Sequence, residues 1–328
     1  MNTFGRIIRI SVFGESHGPM VGVTIDGLPH GIKLSVDDFT ADIARRQPGE
    51  KGTTPRIESD MPEIVSGWFN GCTTGAPLTI IFRNANTKSS DYDKLKDIPR
   101  PGHSDFVAYH KFGGYNDYRG GGHFSGRLTL ALVAAGVVAK KIIPEVSITT
   151  KLIEAGGKTN IDEAIEDAQK HNDSIGGIVE CTATGIPVGL GEPFFDSVES
   201  VISHLAFSIP AVKGIEFGSG FAASRMKGSE HNDPIIDSKG TTATNNAGGV
   251  NGGITNGNPL VFRIAVKPTS SIAKPQQTLN IKSEKIETLM VEGRHDTCIA
   301  LRVPVVVEAI TAIALADMLL IERTRKNR

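Results

Sequence analysis

The sequence predicts an α+β protein, an internally pseudo-symmetric β-α-β sandwich with buried helices between sheet layers. Three observations predict it. Two long segments, 128–143 (LTLALVAAGVVAKKII) and 305–323 (VVVEAITAIALADMLLIER), are almost wholly apolar, so helices there must be covered on all sides. Several short runs alternate apolar and polar residues or are rich in β-branched ones, as strands are. Each long segment also follows a loop carrying Arg and His, GGGHFSGR before the first and EGRHDTC before the second, as an internal duplication would produce. The 328 residues are therefore expected to form a single domain, with two halves meeting near 150–180.

In chain order, residues 20–26 (MVGVTID) read as a strand. Residues 35–49 read as a short helix: Ser35 can cap it, Asp38 stands three residues on, and Pro48-Gly49 ends it. Segments 77–83, 178–184 and 260–266 are further strands, and the two apolar segments are helices. The stretch 240–259 holds six glycines and little bulk. It fits a flexible linker or, because a strand follows at once, a binding loop on a rigid scaffold.

Composition narrows the function. With 35 Lys+Arg against 36 Asp+Glu, the net charge of −1 argues against a broad nucleic-acid-binding field, though a local basic pocket remains compatible. Cys72, Cys181 and Cys298 are unclustered, which suggests a reducing compartment rather than a disulfide frame or zinc site. The N-terminus lacks a signal-peptide apolar region, and no stretch reads as long and apolar enough to span a bilayer. A cytoplasmic globular protein is expected.

Five polar clusters can carry chemistry. Gly14-Glu15-Ser16-His17-Gly18 follows an apolar run, and its glycines permit close approach to a ligand. Arg45-Arg46 ends a helix, where cations also suit the dipole; a guanidinium pair there can equally grip phosphate or carboxylate. Arg100-Pro101-Gly102-His103-Ser104-Asp105 projects Arg and His from a fixed turn. Gly120 to Arg127 (GGGHFSGR) runs into a helix N-terminus, a ready anion site. Arg294-His295-Asp296 precedes another helix and the apolar Cys298-Ile299-Ala300. Familiar phosphate motifs are absent: Gly157-Lys158-Thr159 has Leu152 in place of a P-loop's leading glycine. A phosphate pocket must then be built from dispersed arginines and glycine loops.

With these clusters in order, the chain resembles the chorismate synthase family from FGESHG (13–18) to RHDTC (294–298). GESHG with MVGVTIDGLP, GHFSGR leading to Ala135-Gly136, and Arg294-His295-Asp296 with Glu308 match three family signatures; RPGHSD, TTGAPL and KPTSS agree as well. The resemblance implies a carbon–oxygen lyase of the shikimate pathway. It eliminates phosphate and a ring hydrogen from 5-enolpyruvylshikimate 3-phosphate, giving chorismate, with reduced flavin mononucleotide (FMNH2) and no net redox. It further implies His17 as acid at the phosphate, His103 beside the flavin, and Asp296 assisting removal of the ring proton, with Ser16 and Ser125 orienting the groups. Arg46, Arg100, Arg127 and Arg294 would bind substrate. Lys51 stands near the place where many relatives have arginine. The flavin would be held by His123, Phe124, Ser125, Ala211, Gly252, Arg294 and the turn Lys267, Pro268, Thr269, Ser270 and Ser271. A homotetramer, a separate flavin reductase and NADP are implied; no metal, nucleic acid or membrane is. Departures include Thr297 after RHD and Pro210 where some relatives have asparagine. The alternatives are a metal-dependent phosphatase using His17, His103, His110 and His123, and a non-catalytic flavin- or nucleotide-binding protein.

Overall fold

The computed structural model describes residues 1–49, 51–54, 59–85, 96–291 and 295–326. The chain begins with β1 (Thr3–Phe4), β2 (Arg9–Gly14) and β3 (Met20–Asp26), then α1 (Thr40–Arg46). Next come β4 (Glu63–Ser66), the short pair β5 (Trp68–Phe69) and β6 (Cys72–Thr73), and β7 (Leu78–Arg83). Helices α2 (Asp105–Lys111) and α3 (Thr129–Lys140) close the first half. The second half holds β8 (Ser147–Ala155), α4 (Ile161–Lys170), β9 (Gly177–Thr184), α5 (Val198–Ala206) and β10 (Val212–Phe217). After α6 (Gly228–His231) come the short pair β11 (Val250–Asn251) and β12 (Ile254–Thr255), then β13 (Leu260–Val266). The hairpin β14 (Gln276–Asn280) and β15 (Lys285–Leu289) precedes the last helix, α7 (Pro304–Lys326).

The strands form two antiparallel sheets ordered β1-β2-β3-β7-β4 and β8-β9-β13-β10. Counted from β2 and from β8, both read first, second, fourth, third. Both place a two-residue ladder, β5–β6 or β11–β12, between the third and fourth strands. Each sheet then leads, through a 3₁₀ turn at Gly126–Leu128 or Ile299–Arg302, into a long buried helix. By this topology the second unit starts at β8, so the halves join within 141–146. The expected meeting region near 150–180 overlaps the start of this second sheet, whose β8 exposes Ser147, Thr149 and Lys151 and so is masked as a strand.

Helix α3 packs on β2, β3 and β7, helix α7 packs on β8 and β9, and the two helices pack on each other. The layers are therefore sheet, helix, helix, sheet. All of α3 from Thr129 to Ala139 is buried, which explains its uninterrupted apolar sequence. The helices meet at Gly136, where a Cβ would lie 2.4 Å from the Ala309 Cβ and 2.5 Å from its Cα. Contrary to the sequence expectation, α7 is long and apolar enough to cross a membrane, but 83% of its apolar window is buried inside the fold.

Helix α7 also carries two buried carboxylates. Asp317 accepts the N–H groups of Arg6, Ile7 and Ile8 at 2.9, 2.8 and 2.8 Å, fixing the β1–β2 turn. Glu308 accepts from Arg45 at 2.6 and 2.8 Å, Thr150 at 2.9 Å and Lys140 at 3.2 Å, joining α1, α3, β8 and α7. The predicted helix at 35–49 is a 3₁₀ turn, Val36–Phe39, followed by α1; the Ser35 N–H donates to Asp38 at 2.7 Å, and Gln47 turns extended before Pro48. The glycine-rich 240–259 stretch is a folded loop. Asp233 accepts the N–H groups of Asn246 and Ala247 at 2.8 Å each, and Thr255 and Asn258 are buried.

Candidate active site

Strand β2 ends at Gly14, and the turn after it buries Ser16 and His17. Opposite them pass Gly120, Gly121 and Gly122, all at positive φ (58°, 82° and 54°), which glycine alone adopts without strain. A Cβ on Gly120 would lie 2.3 Å from His17 Cε1 and 2.7 Å from Ser16 Oγ; one on Gly121 would lie 3.4 Å from His103 Cε1. The bare turn thus threads between the two histidines. Ser16 Oγ lies 3.0 and 3.2 Å from the carbonyls of Gly120 and Arg119, and 3.2 Å from His17 Nδ1. With its single proton directed to a carbonyl, the hydroxyl accepts from His17 Nδ1–H and orients the ring.

His103 is held from below. Its Nδ1 is 2.6 Å from Asp105 Oδ1, and Arg100 grips the same carboxylate through Nε and Nη2 at 2.7 and 2.8 Å. Burial opposes charge on Asp105, but hydrogen bonds from Arg100 and His103 outweigh it and hold the carboxyl well below the usual range.

Two adjoining cavities flank the glycine turn. The larger, of about 800 Å³, is walled by His103, His123, Phe124, Ala211 and all five residues of the 267–271 turn. The smaller, of about 260 Å³, is lined by Ser16, His17, Arg46, Arg127, Asp60 and Arg302. Gly120, Ser125 and Asp296 line both, so the two spaces share one wall. Arg46 donates to Thr129 Oγ1 and the Gly126 carbonyl, both at 3.0 Å, and its Nη1 is 3.7 Å from Asp60. Arg127 donates to Asp60 at 2.8 Å and to Asn84 at 2.5 Å. One carboxylate thus meets two guanidiniums at the wall of the smaller cavity. Asp296 accepts from the Thr54 N–H at 2.8 Å and from Arg302 at 3.3 Å.

In the larger cavity, His123 bonds the Gly14 carbonyl at 2.8 Å and Asn2 Oδ1 at 3.1 Å. Lys267 donates to Ser270 Oγ at 2.9 Å and the Gly102 carbonyl at 3.1 Å; burial, and then the neighbouring Lys213, lowers its pKa. Ala211 stands at φ 74° with its carbonyl accepting from the Lys267 N–H at 2.9 Å, a left-handed alanine in the wall of the site.

Three predicted contacts fall elsewhere. Arg100 lines neither cavity; its guanidinium is taken up by Asp105, His103 and Ser271 Oγ (3.1 Å). Lys51 is an exposed side chain paired with Glu166 and lines neither space. Gly252 sits at φ 61° in the β11–β12 turn and also lines neither. Arg294 lies outside the described residues. His110, invoked by the phosphatase alternative, packs against Phe106 and Tyr109 on α2, and the described residues contain no metal-binding group of three or more His, Cys, Asp or Glu. The sequence reading passed over Asp60 and Arg302, which reach the smaller cavity only through the fold. It also gave no role to Asp105, although its place two residues after His103 was a usable signal.

A chorismate synthase family profile matches residues 8–320. The chain is 65% identical to the chorismate synthase of Chitinophaga pinensis, over 100% of this chain and 99% of that one. It is 47% identical to that of Korarchaeum cryptofilum, over 96% of both. A solved structure titled as a chorismate synthase superposes with a TM-score of 0.75 at 28% identity, covering 97% of this chain and 93% of that one. Glycine-threaded histidines, paired arginines and a whole-length match converge on one assignment: the chain belongs to the chorismate synthase family.

Proposed function

We propose that the two adjoining cavities form one reaction chamber, the larger for FMN and the smaller for 5-enolpyruvylshikimate 3-phosphate. The reaction is the lyase step of the shikimate pathway, elimination of phosphate to give chorismate. The observation carrying this reading is the shared wall: His17 and His103 lie on opposite sides of one glycine turn, in spaces that both touch Ser125 and Asp296.

The residues fit the groups. A cavity of about 800 Å³ has the size of a cofactor site, and any side chain at Gly120 would strike His17. When bound, reduced flavin lends electron density to the substrate and regains it, so that a weakly acidic C–H bond breaks without net redox. His123, Phe124, Ala211 and the 267–271 turn would hold the flavin, and His103, on the same wall, would place a ring nitrogen beside it. Arg46 and Arg127, on the wall of the smaller cavity and both reaching Asp60, bind anionic groups of the substrate. His17, oriented by Ser16, gives a proton to the leaving phosphate as its negative charge grows. Asp296, on the common wall and oriented by Thr54 and Arg302, receives the proton leaving the ring. The homotetramer, the separate reductase and the cytoplasmic location belong to the same proposal.

The test is anaerobic turnover with dithionite-reduced FMN. Chorismate must form without added metal, and the oxidised flavin must give none. Phosphate release without chorismate would overturn the proposal.

A further inference from the structure

We propose that Asp105 is a positioning residue for His103, and that Arg100 braces Asp105. The inference rests on the role given to His103 above and deepens it. A carboxylate can only accept hydrogen bonds, so at 2.6 Å from Asp105 Oδ1 the His103 Nδ1 must carry the proton. That fixes the tautomer, leaving Nε2 as the working nitrogen; it lies at the cavity wall, 3.6 Å from a Cβ built on Gly121. Arg100 Nη2 stands 3.0 Å from the same Nδ1, donor facing donor, and so turns the Nδ1 proton towards the carboxylate.

Arg100 does more than neutralise. Besides its two bonds to Asp105 through the side chain, its N–H donates to Asp105 Oδ2 at 3.1 Å and its Nη1 reaches Ser271 Oγ at 3.1 Å. Ser271 belongs to the 267–271 turn of the same cavity, and Lys267 closes the loop by bonding the Gly102 carbonyl at 3.1 Å. The imidazole and the cofactor turn are thus set by one guanidinium. Among the described residues, the charged and titratable groups sharing the cavity with His103 or bonded to it are Asp105 and Arg100 on its own segment, Lys267 from the turn, and His123, His204, Lys213, His295 and Asp296 around the cavity.

The experiment compares His103→Ala, Asp105→Asn and the double variant with reduced FMN, reading kcat, KM and flavin binding separately. Asp105→Asn is expected to lower kcat by roughly 10²-fold while KM and flavin affinity change by less than about threefold, and the pH profile of kcat moves towards acid. The double variant is expected to be no slower than His103→Ala alone, because a residue acting through another adds nothing once that other is gone. Should Asp105→Asn fail to fold, Asp105→Asn with Arg100→Gln removes the stranded guanidinium and is judged by the same criteria. Wild-type kcat in Asp105→Asn, or additive losses in the double variant, overturns the inference while leaving His103 in place. Normal turnover in His103→Ala overturns both.

Discussion

At the scale of single residues, the site depends on backbone freedom as much as on side-chain chemistry. His17 can approach the glycine turn only because residue 120 has no Cβ, and Ser16 sets its ring. His17→Ala should lower turnover by roughly 10²–10⁴-fold, the range for a positioned acid, without loss of flavin binding; full activity would remove its role. Ala211 makes the opposite point. It holds a positive φ that costs an alanine about 1 kcal/mol, and its methyl is small enough to leave the cavity open. Ala211→Gly should therefore unfold within a few degrees of the parent and still bind flavin. Ala211→Val, β-branched at the same φ, should lose about 2 kcal/mol and much of its flavin affinity, as thermal melts and a flavin titration would reveal.

These residue-level features were legible to different degrees. The histidines and arginines of the local motifs stood out because glycine and proline neighbours fix a turn whatever the rest of the chain does. Arg100 is ambiguous for a physical reason: a guanidinium drawn to an anion looks the same in sequence whether the anion is a ligand or Asp105, five residues on. Asp60 and Arg302 carried no local mark.

Among the elements, α7 shows how a buried helix keeps its place. Its apolar faces fill the space between layers, and Glu308 and Asp317 tie it to other elements through six side-chain and backbone partners on one side of the sandwich and the other. Burial works against the Glu308 carboxylate, yet Arg45, Lys140 and Thr150 more than offset it, so its pKa is lowered on folding. A depressed acid contributes stability above its unfolded pKa, near 4.5, and that contribution disappears as pH falls through the lower folded value. Glu308→Gln should hence cost about 2 kcal/mol at pH 7, where Arg45 and Lys140 lose their counter-charge. At pH 3 the gap to the parent should shrink, and denaturant titrations at the two pH values measure it. A gap unchanged with pH would deny the carboxylate this part. Strand β3 was readable to the residue, and β7, β9 and β13 to within one, because apolar residues dominate their buried positions. Strand β8 and the β14–β15 hairpin were not, since Thr, Lys, Gln and Glu occupy much of both.

For the molecule as a whole, the recurrent strand order accounts for where the chemistry gathers. Each half delivers a polar loop and a 3₁₀ turn to the start of its long helix, and the two starts converge, so Ser125 and Gly126 from one half meet Asp296 and Arg302 from the other. The paired loops GGGHFSGR and EGRHDTC hinted at this, but the sequence could not tell which strands pair, because pairing order is settled only when both sheets close over the helices.

The contact between Gly136 and Ala309 has a mechanical consequence. Backbone rests almost on backbone there, so the spacing of the two helix starts is clamped from about 10 Å away, seven residues along α3 from Thr129. A single methyl inserted by Gly136→Ala would act as a wedge, prising the slabs apart and loosening the mouth they frame. Catalysis should then suffer at a position that lines neither cavity, with KM rising as the melting temperature falls.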